Sequence, residues 1–496
     1  DNDRSIIGTM KAMGLKNFEL ISSYMFQAVF IGVLGVIIGS LAAHPFGKYM
    51  FEEYTTFFSL PSVEYYDSYS LRFYALIVTL AASMISVFFG VRGIADIQPA
   101  EAMRPAVPDI KQNFTVFDNI VKKFGVMHKM AIRSLFRSPL RTFIISFAIA
   151  FPFALSAVLF SSGIAISALF LSQFDNVQRY DVKVSLENYT SRTRAEDAVR
   201  NIEGVAEYEA ITEIPVLIKS VNRSKFTLLM GLHSGSDLLR ICSIDKKTYN
   251  PPSDGLILNS RIADDLGLKE GDIAEISTSY FPLKKSYIPV VDVIQEGLGG
   301  GCYIDINSIG KYLPVSDFSN AVILNTVRGM QENVKRELIN TSFISAYSDS
   351  NELLKTYKSR MKNVAFMVNT FIFMTLLAGV ILIYNISLIN IRERRTEFAT
   401  LKIMGITDTE INQMIFAEQV VYMLAGLVIS LPLLKGFKWL MENLMLSDSF
   451  TVRLDMPVSS YIKAFLFCLI MLYISGRAII KNIKKINPTD SLKEKG

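Results

Sequence analysis

Four stretches of this chain run the length of a membrane crossing without one Asp, Glu, Lys or Arg: Leu20 to Gly47, Phe73 to Val91, Thr142 to Phe174 and Asn363 to Ile391. An α-helix needs roughly 20 residues to cross about 30 Å of hydrocarbon, and each stretch is near or above that length. Two further candidates carry one charge apiece: Ile411 to Leu434 with Glu418, and Pro457 to Gly476 with Lys463 near one end. A single polar residue close to a helix end can reach the interface, so both count as spans and the total is six. The composition agrees. Half the residues are hydrophobic and only 20% are charged, below the quarter usual for a soluble domain, so the excess apolar surface must face something other than water.

The net charge of +5 does not point to nucleic acid, because the basic residues sit beside the apolar runs. Arg92, Arg104, Lys111, Lys122, Lys123, Lys129, Arg133, Arg137 and Arg141 lie between the second and third spans. Arg392, Arg394 and Arg395 follow the fourth, and Arg477, Lys481, Lys484, Lys485, Lys493 and Lys495 follow the sixth. The alternate loops are acidic or mixed, with Glu52, Glu53, Glu64 and Asp67 between the first two spans. One orientation satisfies every loop: the N-terminus, 92–141, 392–410 and the C-terminus cytoplasmic, and the polar stretch 175–362 extracytoplasmic. Asp1 to Lys16 has no signal-peptide pattern. Three Cys (Cys242, Cys302, Cys468) and three His (His44, His128, His233) lack the spacing of a metal cluster, so no metal or other cofactor is expected. Cys242 and Cys302 could meet as a disulfide only if the fold brings them within bonding distance.

The stretch 175–362 reads as mixed α/β. Tyr180 to Leu186, Arg194 to Ile202 and Val205 to Ser220 suggest strand, helix, strand. Asn320 to Asn325, Met330 to Ile339 and Phe343 to Tyr347 suggest the same again. Two such units flanking an insertion predict a split ferredoxin-like sheet. Inside the insertion, Asp254 to Ile276 predicts a strand, a helix, a turn at Gly267 and Gly271, and another strand. Gly299-Gly300-Gly301 reads as a loop, with no following helix or Lys to make a phosphate cradle. The fold class is therefore an α-helical polytopic membrane protein with six spans and a mixed α/β extracytoplasmic domain.

The chain also repeats itself. Arg4 to Gly14 aligns without a gap to Arg395 to Gly405, with Arg4/Arg395, Thr9/Thr400, Lys11/Lys402, Met13/Met404 and Gly14/Gly405 identical. Glu19/Glu410 and Gly35/Gly426 continue the register. After two spans Ile97 to Met103 matches Ile486 to Leu492. The repeated unit is a short cytoplasmic helix, a span, an outer loop, a span and a Pro-containing turn.

The paired R-x-x-x-x-T-x-K-x-M-G helices, the Pro turns, the basic Ser138-Pro139-Leu140-Arg141 lead-in to a span and the Leu266-Gly-Leu-Lys-Glu-Gly-Asp272 turn resemble the FtsX-like permease family, of the MacB-like and lipoprotein-extracting type. The resemblance implies a membrane subunit of a mechanotransmission-type ABC transporter, apparently the C-terminal part of a longer duplicated permease, in the bacterial cell membrane. The expected layout is 1–105, the C-terminal part of a first membrane repeat with two spans; 106–141, a cytoplasmic linker with an amphipathic lead-in helix; 142–174, a span; 175–362, a MacB-like extracytoplasmic core domain; and 363–496, a second membrane repeat with three spans. A phosphate-binding loop is absent, since Gly47-Lys48 and Gly310-Lys311 are each followed by Tyr. No catalytic residue is assigned. ATP hydrolysis is expected from a separate subunit in two copies, with an extracytoplasmic adaptor, hydrolase or sensor kinase as a further partner. The implied cargo is an amphipathic peptide, lipid or lipoprotein. The alternative role is a regulatory membrane protein that activates a cell-wall hydrolase or sensor kinase.

By that resemblance the two repeat helices dock on the ATPase, with Arg4, Met10, Lys11, Gly14, Arg395, Leu401, Lys402 and Gly405 as contact residues. Gly14 and Gly405 are expected to end their helices. Gln27 and Glu418, equivalent in the two repeats, are a candidate intramembrane polar site. Gly32, Gly35 and Gly39 form a small-residue stripe expected to support close helix packing. The alternation of basic loops makes the topology testable. A cysteine placed at Ser253 is expected to react with a membrane-impermeant reagent in intact cells and one at Asn113 is not; the reverse pattern would invert the layout.

Overall fold

The computed structural model describes residues 4–58, 63–95, 139–220, 223–279, 285–299, 301–314, 317–341, 343–445 and 452–483. The linker between the second and third spans, most of the basic lead-in to the third and the two Pro turns lie outside the described residues. Twelve helices are described: α1 (Arg4–Ala12), α2 (Asn17–Phe58), α3 (Tyr69–Ala95), α4 (Pro139–Ser172), α5 (Arg192–Arg200), α6 (Ser260–Leu266), α7 (Ile309–Tyr312), α8 (Gln331–Asn340), α9 (Ser350–Glu393), α10 (Arg395–Ile403), α11 (Asp408–Leu444) and α12 (Val458–Ile483). Six of them, α2, α3, α4, α9, α11 and α12, are long and apolar enough to cross a membrane, and they cover the six sequence-predicted spans except for Gln173, Phe174 and Pro457 at their ends. Helix is the form such segments must take, because hydrocarbon offers backbone N–H and C=O groups no other partner.

Contacts divide the chain into two units. One comprises Asp1–Phe153, Phe373–Ser430 and Leu466–Gly496, and the other Ala154–Ile372 and Leu431–Phe465. In the first unit α2 packs against α3. A Cβ on Gly32 would lie 3.1 Å from Leu80, whereas Gly35 and Gly39 face open space within the chain, so one member of the stripe supports close packing and the other two do not. Tighter glycine contacts occur elsewhere: a Cβ on Gly426 of α11 would meet the Ser146 carbonyl of α4 at 2.8 Å, and one on Gly379 of α9 would collide with Met471 of α12.

The second unit holds the α/β domain. Strands β1 (Val182–Thr190), β2 (Val205–Lys219), β10 (Ser319–Thr326) and β11 (Ile344–Asp349) pair antiparallel in the order β11-β1-β10-β2, with α5 after β1 and α8 after β10. This is the ferredoxin-like arrangement expected from sequence. Alternation drives it: Val182, Val184 and Leu186 point to the same face and bury with Val199 of α5 and Val334 and Leu338 of α8.

The insertion is a barrel. β3 (Ser224–Leu232), β6 (Leu256–Asn259), β7 (Ile273–Ser277), β8 (Ser286–Ile294) and β9 (Cys302–Asp305) follow β2 in the order β2-β3-β9-β6-β8-β7, and β7 pairs back onto β2. β2 serves both layers: its first half pairs β10 and its second half pairs β3 and β7. Closure leaves no free edge inside the ring. The interior is filled by fully buried residues such as Ile214, Ile218, Leu229, Leu258, Ile276 and Ile288. Gly267 (φ 70°) caps α6 and Gly271 (φ 91°) turns the chain into β7, as the sequence predicted. The remaining strands β4 (Ile241–Cys242) and β5 (Thr248–Tyr249) make a small separate ribbon.

Cys242 and Cys302 do not form a disulfide. Both are buried free thiols, with Cys242 Sγ 3.4 Å from the Asn176 carbonyl and Cys302 Sγ 3.6 Å from that of Leu228. Burial raises the pKa of each.

Because β2 is common to sheet and barrel, its core side chains bear on both. Ile214→Ala is expected to destabilise the α/β domain by about 2–5 kcal/mol, the range for a large-to-small change in a packed core. The check is the susceptibility of 182–349 to limited proteolysis across a denaturant series.

Candidate docking helices and the ion pair beneath one of them

The two repeat helices close in the same way. After α1, Gly14 N–H donates to Lys11 O at 3.0 Å and Leu15 N–H to Met10 O at 3.2 Å. After α10, Gly405 N–H donates to Lys402 O at 3.1 Å and Ile406 N–H to Leu401 O at 3.0 Å. Each pair of bonds is a Schellman cap. Each needs its glycine, with φ of 97° and 90°, because an L side chain there is strained whatever space surrounds it. The next helix then starts in related ways. Glu410 Oε2 accepts from Thr407 N–H and Oγ1, both at 2.9 Å, while Glu410 N–H donates to Thr407 Oγ1 at 3.3 Å, a reciprocal capping box at the start of α11. At the start of α2 Glu19 Oε2 accepts from Lys16 N–H at 2.9 Å, half of the same box.

The tip of each helix presents apolar surface. Met13 is 70% exposed after α1, and Ile403 and Met404 are 60% and 67% exposed at the end of α10. Of the other sequence-predicted contact residues, Arg4 and Arg395 open their helices, and their side chains lie outside the described residues. Met10 and Lys11 are half-buried. Leu401 turns inward, against the cluster of Ile391, Phe398, Ile411, Met414 and Ile415. Lys402 pairs with Asp408 at 2.8 Å, its side chain only 14% exposed. The outward surface of α10 is therefore made by Ile403 and Met404 more than by Leu401 and Lys402.

Sequence reasoning missed the residue that fixes α10. Arg394 occupies the break between α9 and α10, with its side chain 8% exposed. Its Nη1 donates to Glu418 Oε1 at 2.7 Å, its Nε donates to Glu397 Oε2 at 2.9 Å, and its guanidinium lies 5.1 Å from the Phe398 ring centre. Burial works against the Arg394 cation, but Glu418 and Glu397 outweigh it and hold the guanidinium above its ordinary pKa. Glu418, 2% exposed, thus has its counter-charge at the root of the neighbouring helix. Two more polar links surround it: Gln419 Nε2 donates to Ser387 Oγ at 3.2 Å, joining α11 to α9, and Arg141 Nη1 reaches Glu393 Oε2 at 3.3 Å, joining α4 to α9.

The first repeat lacks this device. Gln27 is exposed on α2, and Ile6 and Asp3 stand at the positions of Glu397 and Arg394. Gln27 and Glu418 are therefore equivalent in sequence and opposite in environment. The signal was present in the repeat alignment, where positions 394 and 418 differ together from their counterparts. The neighbouring Arg392, Arg394 and Arg395 masked it by reading as a topology signal alone.

A buried pair is costly to break and cheap to replace whole. Glu418→Leu and Arg394→Met are each expected to destabilise the membrane unit by about 3–5 kcal/mol. The double variant is expected to recover most of the loss in thermal melts of the purified chain.

The family model for the FtsX-like permease C-terminal domain matches residues 1–99 and 369–488. Among solved structures, the chain is similar to the extracellular domain of the noncanonic ABC-type transporter YknZ from Gram-positive bacteria, at 14% identity and a TM-score of 0.25, covering 34% of this chain and 98% of that one. It is similar to the periplasmic region of MacB from Actinobacillus actinomycetemcomitans, at 9% identity and a TM-score of 0.24, covering 38% of this chain and 97% of that one. No curated protein matches the chain in sequence.

Proposed function

We propose that this chain, which carries the FtsX-like permease C-terminal domain twice, is the permease subunit of an ABC transporter. Hydrolysis of ATP by a separate subunit would move the two repeat helices, and the spans would carry that motion to the α/β domain outside the membrane. The observation that carries the reading is the duplication of one docking feature: a nine-residue helix closed by a Schellman cap, with a protruding Met at its end, placed immediately before a span in each copy. Two such tips suit two copies of one ATPase. The basic residues of 392–410 favour a cytoplasmic position for the second tip, where ATP is available.

The mechanism follows from how firmly each tip is held. A force applied to Ile403 and Met404 enters α10. It passes through Arg394 to Glu418 and so reaches α11 as a rigid connection, because a buried ion pair cannot slide without exposing a bare charge. The α1 tip has the cap without the pair. The second copy is thus the stiff lever and the first the compliant one. The cargo fits an amphipathic peptide, lipid or lipoprotein, and the setting a bacterial cytoplasmic membrane.

Gly14→Ile and Gly405→Ile force a β-branched residue into the left-handed region, at about 1–2 kcal/mol of local strain, and displace the tip. Each is expected to leave membrane insertion intact while lowering both co-purification of the ATPase and cargo-stimulated ATP turnover several-fold. Met404→Asp is expected to do the same without touching the cap. Full partner retention in all three variants would instead make these helices headgroup anchors.

A further inference from the structure

The α/β unit contains a cavity of about 600 Å³, in the range of small-molecule sites. Part of its wall is the last turns of α4, with Ala165, Ala168 and Leu169, joined by Leu228 and Met230 of β3. Glu296, just after β8, lines the same cavity and is only 5% exposed. Its carboxylate accepts from Asn259 Nδ2 at 2.9 Å and from the Tyr303 side chain, both neutral donors. Among the described residues no Lys, Arg or His lies within ion-pair distance of it. The cations on the lining are otherwise engaged or at the open rim: Arg240 is paired with Asp237, Arg453 with Asp245 at 3.1 Å, and Lys246 is exposed. Burying a carboxylate without a counter-ion is expensive, and a Gln could accept the same two hydrogen bonds without that cost. The missing charge is one that an occupant of the cavity can supply.

We propose that this cavity binds a monocationic amphiphile, its ammonium group against the Glu296 carboxylate and its hydrocarbon body along the Ala165, Ala168 and Leu169 surface of α4. The pocket chemistry stands by itself. Its role as a cargo site rests on the permease reading. Burial pushes Glu296 well above the usual carboxylate range, to about 7, against the lowering pull of Tyr303 and Asn259. The other titratable groups packed on it, Tyr303, Cys302 and Cys242, are all raised by burial and stay neutral near that pH. Arg240, Lys246, Arg453 and Asp455 are the other charged side chains on the lining. Since the ammonium pairs with the ionised form, affinity is full above about pH 7 and falls up to tenfold per pH unit below it.

The test measures binding of decylammonium to the full chain in neutral-lipid nanodiscs from pH 5.5 to 8.5, with decyl sulfate as the opposite-charge control. Saturable decylammonium binding is expected, weakened tenfold or more by Glu296→Gln, with loss of the pH dependence. Ala168→Trp, which fills the cavity from the helix side, is expected to abolish it independently. Unchanged affinity in Glu296→Gln, or decyl sulfate bound as tightly as decylammonium, would overturn the proposal. ATP turnover by the complex with its ATPase separates the two readings. Binding without stimulation would keep the pocket and count against the permease role; stimulation by amphiphiles that persists in Glu296→Gln would do the reverse.

Discussion

A carboxylate inside an apolar helix must have a partner, and most of what is distinctive in the membrane unit follows from how Glu418 is given one. Water does not reach it, since it is 2% exposed. Its own helix offers no cation within the adjacent turns, where Met414, Ile415, Tyr422 and Met423 are apolar or aromatic. The charge comes from Arg394, the residue between the end of α9 and the start of α10, so the pair ties that break to α11. Arg394 then recruits Glu397 and Phe398 from the first turn of α10, so the helix is bonded to its support along one side while Ile403 and Met404 stand clear on the other.

This arrangement gives a short helix an unusual rigidity. Nine residues are too few to hold helical structure alone in water, and α1, of the same length and with the same cap, has no comparable anchor in Gln27. Close glycine contacts extend the stiffness upward, because Gly426 lets α11 lie directly on the Ser146 carbonyl of α4. A push at Met404 therefore meets a series of hard contacts, whereas at the position of Glu418 the first copy has the uncharged Gln27.

Much of this was legible in the sequence. Four of the six spans follow from charge-free length and the other two from apolar length with one charge apiece, and the ferredoxin-like sheet follows from alternating Val and Leu with a helix between each pair of strands. Gly14 and Gly405 announced the helix ends because no other residue adopts their φ cheaply. The barrel was not legible. Its closure depends on Leu217, Ile218 and Lys219 of β2 meeting Ser277, Ile276 and Glu275 of β7, a pairing nearly 60 residues apart that local patterning does not encode. The resemblance implies Lys402 as a contact residue, and in the fold Asp408, at a position occupied by Asn17 in the first copy, pairs with it and leaves its side chain mostly buried. Glu296 gave no signal at all. An acid at a strand end looks solvated until the fold closes Asn259, Tyr303 and α4 around it.

If the Arg394–Glu418 pair locks them, α10 and α11 move as one body. Spin labels at Thr400 and Leu424, both on exposed positions of these helices and off the Ile403–Met404 tip, report it as a distance distribution in the complex with its ATPase, with and without bound nucleotide. A single narrow distance that nucleotide leaves unchanged is expected, broadening when Glu418 is replaced by Gln. A nucleotide-dependent change of several ångströms with the native pair in place would contradict it.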